Sequence, residues 1–128
     1  MDDQEHYTRG RAMRSTVLGA AHVERSEANR TDFTTEFQDF ITRYAWGEVW
    51  QRPGLERRTR SFLTLSMLLA LARDDEFQLH LRGALDNGIS RDEIKELLLH
   101  SAIYCGVPAA NHGFKLAQEV FRARDAGG

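Results

Sequence analysis

The feature that most constrains the fold of this chain is an apolar stretch near its middle, LERRTRSFLTLSMLLALA, over residues 55–72. The stretch predicts a helix, and from Phe62 onward it is apolar nearly all round, apart from Thr64 and Ser66. A helix of that kind is buried on every side in a folded protein. Its apolar run is too short to span a bilayer, so we expect protein rather than lipid around it.

The other segments are also typical of helices, and strand signals are few. Apolar spacing and end signals predict helices over roughly residues 3–19, 31–47, 74–87, 90–105 and 108–124. Thr31 or Asp32 is expected to cap the second of these. Between the second helix and the apolar one, AWGEVWQRPG is predicted to be a loop. The expected fold class is therefore all-α, a compact domain of about six helices over residues 1–128.

Two helix ends carry specific signals. Gly88 follows the helix over residues 74–87 as its C′ residue. Ser90 and Glu93 have the spacing of a capping box and predict the start of the next helix. In that helix we expect Ile103 to be buried, together with Ile94, Leu97 and Leu98.

Composition excludes several classes of protein. A net charge of −2 gives no polybasic surface, so neither nucleic acid nor a membrane surface is an expected partner. The polar N-terminus MDDQEHYTRG has the pattern of neither a signal peptide nor a transit peptide, and a cytoplasmic location is expected. The single cysteine, Cys105, excludes an intrachain disulfide framework and a multi-cysteine zinc site.

The apolar content favours a homo-oligomer. About six helices of this length cannot easily surround the apolar helix and also hide a second stripe of large side chains. That stripe consists of Phe33, Phe37, Phe40, Ile41 and Tyr44. Association that buries helix faces between subunits would cover both features.

One carboxylate–imidazole pair has the spacing of an acid/base catalyst. Glu76 and His80 are four residues apart on a predicted helix, so they share one helix face. A carboxylate beside an imidazole fixes its tautomer and raises its basicity, as a general acid/base requires. The alternative is a buried histidine that the glutamate satisfies and that has no further role.

Three arginines, Arg57, Arg58 and Arg60, lie at the predicted start of the apolar helix. The helix dipole disfavours cations at that end, so their presence there points to an anion such as a substrate carboxylate. The alternative is a solvated surface on which the arginines pair with Glu56 and Glu48.

The remaining candidate groups predict no metal and no redox site. Cys105 lacks a second cysteine nearby, so a small buried hydrophobe is the expected role. His100 and His112 do not have the spacing of a metal triad.

Three stretches of the chain resemble the 4-carboxymuconolactone decarboxylase family. They are GRAMRSTVLGAAHVERS, AWGEVWQRPGLERRTRSFLTLSMLLALARDDEF and HLRGALDNGISRDEIKELLLHSAIYCGVPAANHG. The resemblance spans roughly residues 7–122. The residues that agree include Trp46-Gly47, Arg57, Arg60, His80, Asn87-Gly88 and Tyr104. The wider superfamily includes thiol peroxidases of the alkylhydroperoxidase-D type, which have the same helical fold and a Cys-x-x-Cys pair where this chain has Arg73 and Glu76.

The resemblance implies a reaction without a cofactor in protocatechuate breakdown, the β-ketoadipate pathway. In that reaction 4-carboxymuconolactone loses carbon dioxide and becomes β-ketoadipate enol-lactone. His80, tuned by Glu76, would then donate a proton, while Arg57 or Arg60 would hold the retained carboxylate or the lactone oxygen. Trp46 would help to exclude water, and a trimer or hexamer is the expected assembly.

Two other functions stay open at this stage. One is a thiol-dependent peroxidase or reductase that uses Cys105. The other is a helical oligomer that binds a small molecule without turning it over. A related lactone as substrate is a third possibility within the decarboxylase interpretation.

Overall fold

The protein is all-helical in the computed structural model, which describes residues 1–127. Residues 1–127 form seven α-helices and one π-helical segment. Their bounds are α1 Asp3–Leu18, α2 Ala20–Ala28, α3 Thr35–Phe40, the π segment Ile41–Val49, α4 Arg57–Ala70, α5 Asp74–Asp86, α6 Arg91–Cys105 and α7 Val107–Gly127. No strand occurs within residues 1–127, so the predicted all-α class is confirmed. None of these helices has the length and apolar character needed to cross a membrane.

The chain forms two compact units, Met1–Arg57 and Arg58–Gly128. The first contains α1, α2, α3 and the π segment. The second contains α5, α6, α7 and all of α4 except its first residue. The expected single domain over residues 1–128 stays a prediction.

In the first unit, two glycines let α1 approach the π segment closely. A Cβ atom at Gly10 would overlap the carbonyl oxygen of Thr42, and one at Gly47 would overlap the carbonyl oxygen of His6. No side chain fits at either position, so glycine is required there for the two backbones to come this close. The start and end of α1 agree with prediction, since Asp2 and Glu5 form a capping box and Gly19, with φ of 95°, follows the last residue.

Two predictions for the first unit are wrong, and one of its helices was not predicted. The predicted loop includes residues 45–49, which belong to the π segment, because packing against α1 overrides the local turn signals. The second predicted helix begins at Thr35 rather than beside Thr31 or Asp32. Helix α2 has no predicted counterpart, and Val23 is its one buried residue.

Buried and half-buried arginines connect the helices of this unit. Arg14 is buried, and its guanidinium donates to Gln38 Oε1 at 3.2 Å and to Ser26 Oγ at 3.3 Å. Burial lowers the pKa of Arg14 from its ordinary value. Arg30 pairs with Glu27 at 2.6 Å and with Asp39 at 2.7 Å, so it ties the end of α2 to α3.

The second unit has a core to which all four of its helices contribute. Its buried members are Leu65, Leu69, Phe77, Leu81, Ala84, Ile89, Ile94, Leu97, Leu98, Leu116, Ala117 and Val120. The prediction that α4 is buried on every side is wrong for the single chain, since Leu63, Met67 and Leu71 are 43%, 60% and 65% exposed. Only one face of α4 meets the core, because the other helices of this unit pack on that side alone.

Most predicted helix ends in this unit are confirmed. Helix α5 ends at Asp86, and Gly88 follows with φ of 95°. Ser90 and Glu93 form the capping box of α6, with both reciprocal hydrogen bonds present. The predicted burial of Ile103 is wrong, because its side chain is 78% exposed. Ile103 lies nine residues after the buried Ile94, which is about half a turn round the helix and therefore on the opposite face.

Candidate functional site

The predicted acid/base pair lies on α5. Glu76, in the first turn, is exposed, and His80 is half-buried one turn further along, with its Nδ1 atom inaccessible to solvent. The neighbouring Phe77 and Leu81 are buried in the core and fix the orientation of the helix. The imidazole therefore lies at the boundary between the core and the surface, where it can be both positioned and reached.

The three predicted arginines lie in the first turn of α4 and differ in their surroundings. Arg57 is exposed and Arg60 is half-buried. Arg58 forms a salt bridge with Glu93 on α6, and its guanidinium lies 5.5 Å from the ring centroid of Phe62. The sequence suggested Glu56 and Glu48 as partners for the arginines. In the structure Arg58 pairs instead with Glu93, a residue of another helix.

Trp46 belongs to the first unit, in the π segment. It is 7% exposed and stacks on Trp50 with ring centroids 4.9 Å apart and planes at 23°. Its carbonyl oxygen accepts a hydrogen bond from the Gln51 side-chain amide at 3.3 Å. The role of Trp46 in excluding water stays a prediction.

An open cavity of about 400 Å³ lies between α4 and α6, and we call it the α4–α6 cavity. Its lining consists of Phe62 and Ser66 from α4, and Glu93, Glu96, Leu97 and His100 from α6. The volume falls within the range of about 300–1,000 Å³ that small-molecule sites occupy. Apolar walls with a few converging polar groups are the usual character of such sites.

The cavity contains a second carboxylate–imidazole pair that the sequence interpretation missed. Glu96 and His100 are four residues apart on α6, the same spacing as Glu76 and His80 on α5. From the sequence, His100 is predicted to bind no metal, and its pairing with Glu96 is not predicted. The four-residue spacing alone could have identified the pair. Its location in a cavity depends on the arrangement of α4 and α6, which the sequence does not show.

The other candidate groups have separate surroundings. Cys105, at the end of α6, is a half-buried free thiol rather than a fully buried one. His112 Nε2 lies 2.7 Å from Asp74 Oδ2, a contact that joins α7 to the start of α5. Among residues 1–127, no three histidine, cysteine or acidic side chains come together in a way that could hold a metal ion.

With this fold and these groups established, comparison with known proteins identifies the class. The model of the carboxymuconolactone decarboxylase family matches residues 35–119, from the start of α3 into α7. The chain belongs to this family, and the resemblance seen in its sequence is confirmed.

Particular relatives are similar over most of the chain. A 4-carboxymuconolactone decarboxylase of Acinetobacter baylyi is 52% identical over 122 residues, covering 95% of this chain and 91% of the relative. The nitrosuccinic acid decarboxylase npaB of Metarhizium robertsii is 43% identical over 114 residues, covering 89% and 80%. A 4-carboxymuconolactone decarboxylase of Pseudomonas putida is 46% identical over 48 residues, 38% of this chain and all of that sequence.

Proposed function

We propose that this protein is a carboxy-lyase that converts 4-carboxymuconolactone into β-ketoadipate enol-lactone, a step of protocatechuate breakdown through the β-ketoadipate pathway. The observation that carries the proposal is 52% identity to a decarboxylase of that name over 95% of the chain. The test is an ultraviolet assay of freshly made lactone, together with measured release of carbon dioxide.

The substrate supplies its own electron sink. When the bond to the departing carboxylate breaks, its electron pair moves through the ring double bond onto the lactone carbonyl oxygen. The enzyme must stabilise that oxyanion and then supply a proton to carbon. It should not bind the departing carboxylate tightly, because holding that charge would stabilise the ground state.

We assign the proton donation to His80, with Glu76 tuning the imidazole from one turn away. We assign the binding of the retained carboxylate or the lactone oxygen to Arg57 or Arg60, and the exclusion of water to Trp46. The position of His80 at the edge of the core supports its part of this assignment.

A second candidate is decarboxylation of nitrosuccinic acid, favoured by 43% identity to a decarboxylase of that compound. A nitro group can accept the electron pair as a lactone carbonyl does, so both reactions require the same kind of stabilisation. The lactone is preferred because the identity is higher over a larger share of the chain.

Because the electrons never leave the substrate, we expect activity without a metal and without a thiol. Turnover should survive a chelator, and Cys105→Ser should stay active. Loss of turnover in chelator that one added metal restores would contradict the cofactor-free reaction. Loss of activity in Cys105→Ser, with its fold intact, would favour the thiol-dependent alternative.

We further propose a cytoplasmic homo-oligomer of three or more chains, a trimer or a hexamer. Large apolar side chains on the surface of each unit support it, including Phe33 and Phe37 in the first and Met67 and Ile103 in the second, all at least 60% exposed. Patches of that kind are typical of interaction surfaces. Sedimentation at micromolar concentration should give a mass of three chains or more, and Met67→Lys should lower it; a stable wild-type monomer would contradict the assembly.

A further inference from the structure

Three polar contacts join α5 to α7, and the two residues of each contact are 38 positions apart in the chain. They join Asp74 to His112, Gln78 to Leu116 and Asp86 to Arg124. A constant separation means that the two helices run parallel in a single register. That register extends over about 18 Å of α5, because each residue advances a helix by about 1.5 Å.

The middle contact differs from the two outer ones. The Gln78 side-chain amide donates to the Leu116 carbonyl oxygen at 3.1 Å and to Glu119 Oε2 at 3.0 Å, so both of its N–H groups are used. We call these two hydrogen bonds the Gln78 clasp. Gln78 is half-buried and Leu116 is buried, so the clasp lies at the edge of the core. The outer contacts join side chains that are between 34% and 58% exposed, and such surface pairs contribute little to stability.

His80 lies on the other flank of α5. Two residues along a helix correspond to about 200° of rotation, so His80 and Gln78 lie on nearly opposite sides, with the buried Phe77 between them. Packing of apolar side chains is not directional, whereas a hydrogen bond is, so the clasp resists rotation of α5 about its axis. A rotation of about 10° would move a group about 5–6 Å from the axis by about 1 Å.

We infer that Gln78 is a positioning residue for the decarboxylation, because its clasp on α7 fixes the rotation of α5 and therefore the place from which His80 delivers its proton. This inference rests on the proposed function, in which His80 is the proton donor. A proton donor must lie within hydrogen-bond reach of its target, and a misplacement of about 1 Å can cost about a hundredfold in rate. Gln78 itself is assigned no contact with the substrate.

Gln78→Leu removes both donors and keeps a side chain of similar size. We expect kcat for the lactone to fall about ten- to hundredfold with KM nearly unchanged, because substrate binding is assigned to arginines of α4. Gln78→Lys should recover much of the loss, since its ammonium can donate to both acceptors. Glu119→Ala removes one acceptor from an exposed position, so it should fold and lower kcat by a smaller factor. Steady-state kinetics of variants with the wild-type circular dichroism spectrum measure these effects.

Combining Gln78→Leu with His80→Ala separates positioning from a general structural role. In the His80→Ala background, Gln78→Leu should lower kcat no further, because no imidazole remains to be positioned. A structural role would lower kcat by the same factor in both backgrounds. The matched controls are Gln118→Leu, an exposed glutamine of α7 on the side of α6, and His112→Ala, from an outer contact. Both controls should keep the wild-type kcat.

A second readout does not depend on turnover. In a proton–nitrogen correlation spectrum, the imidazole signals of His80 are those that His80→Ala lacks. They should move in Gln78→Leu and stay in place in both controls.

The outcomes distinguish this inference from the proposed function. If wild type decarboxylates the lactone and Gln78→Leu keeps the wild-type kcat, or lowers it equally in both backgrounds, the positioning role is overturned and the function stands. If wild type releases no carbon dioxide from the lactone, the proposed function fails. Movement of the His80 signals in Gln78→Leu would then still support Gln78 as the residue that positions His80, and unchanged signals would overturn it.

Discussion

Replacing His80 with alanine is expected to lower turnover of 4-carboxymuconolactone by about two to four decades, the usual range for loss of a general acid. The carbanion formed by loss of carbon dioxide must be protonated on carbon, and His80 is the group to which we assign that proton. Glu76→Gln should cost less, because it removes the charge that tunes the imidazole but keeps a hydrogen-bonding group one turn away. The measurement is kcat across a pH range for wild type and both variants.

The pH profile gives a readout that a structural role would not move. One limb of the wild-type profile should be absent in His80→Ala. The variant should remain folded, because His80 is only half-buried at the edge of the core. His112→Ala is the matched histidine control on α7. If His80→Ala folds and turns over the lactone at the wild-type rate, His80 is not the proton donor. It is then a structural histidine that its neighbouring glutamate satisfies.

Substituting lysine for Arg57 or Arg60 is expected to lower kcat/KM by about one to two decades, as for a lost charge-assisted hydrogen bond. Lysine keeps the positive charge but loses the planar fork that holds a carboxylate through two parallel hydrogen bonds. The effect should therefore be on recognition geometry rather than on net charge. Steady-state kinetics of each variant with the lactone measures it.

Arg91→Lys is the matched control, since Arg91 lies in the first turn of α6 and pairs with Asp125 through two hydrogen bonds. It should leave kcat/KM near the wild-type value. If Arg57→Lys and Arg60→Lys both keep full activity, the anion site lies elsewhere. Arg58, which pairs with Glu93 on α6, would then be the remaining member of the cluster.

Local signals predicted the helix ends well. The capping box of Ser90 and Glu93 and the stop at Gly88 depend on hydrogen bonds and backbone angles within a few residues, so the sequence contains all that determines them. The helix predicted over residues 31–47 was expected to end near Gly47, but the π segment continues to Val49, and Gly47 packs against α1, far away in the chain. The turn signals near Pro53 are local, and they do not reveal that contact.

The candidate site was only partly predictable for the same reason. Spacing along α5 identified Glu76 and His80, and the residues at the start of α4 identified an arginine cluster. Neither pattern contains the packing of α4 against α6, so the cavity with Glu96 and His100, and the attachment of Arg58 to Glu93, could not be inferred. Helix α4 is apolar, as predicted. Met67 is nevertheless exposed, because no other helix of the single chain covers it.

The most direct test of the central claim compares two substrates with the same enzyme preparation. Release of carbon dioxide is measured from 4-carboxymuconolactone and from nitrosuccinic acid, each over a range of concentrations, with His80→Ala as the control for background release. We predict that the lactone is decarboxylated with the higher kcat/KM and yields β-ketoadipate enol-lactone. A higher kcat/KM for nitrosuccinic acid, or no release from the lactone above the uncatalysed rate, would contradict the proposed function.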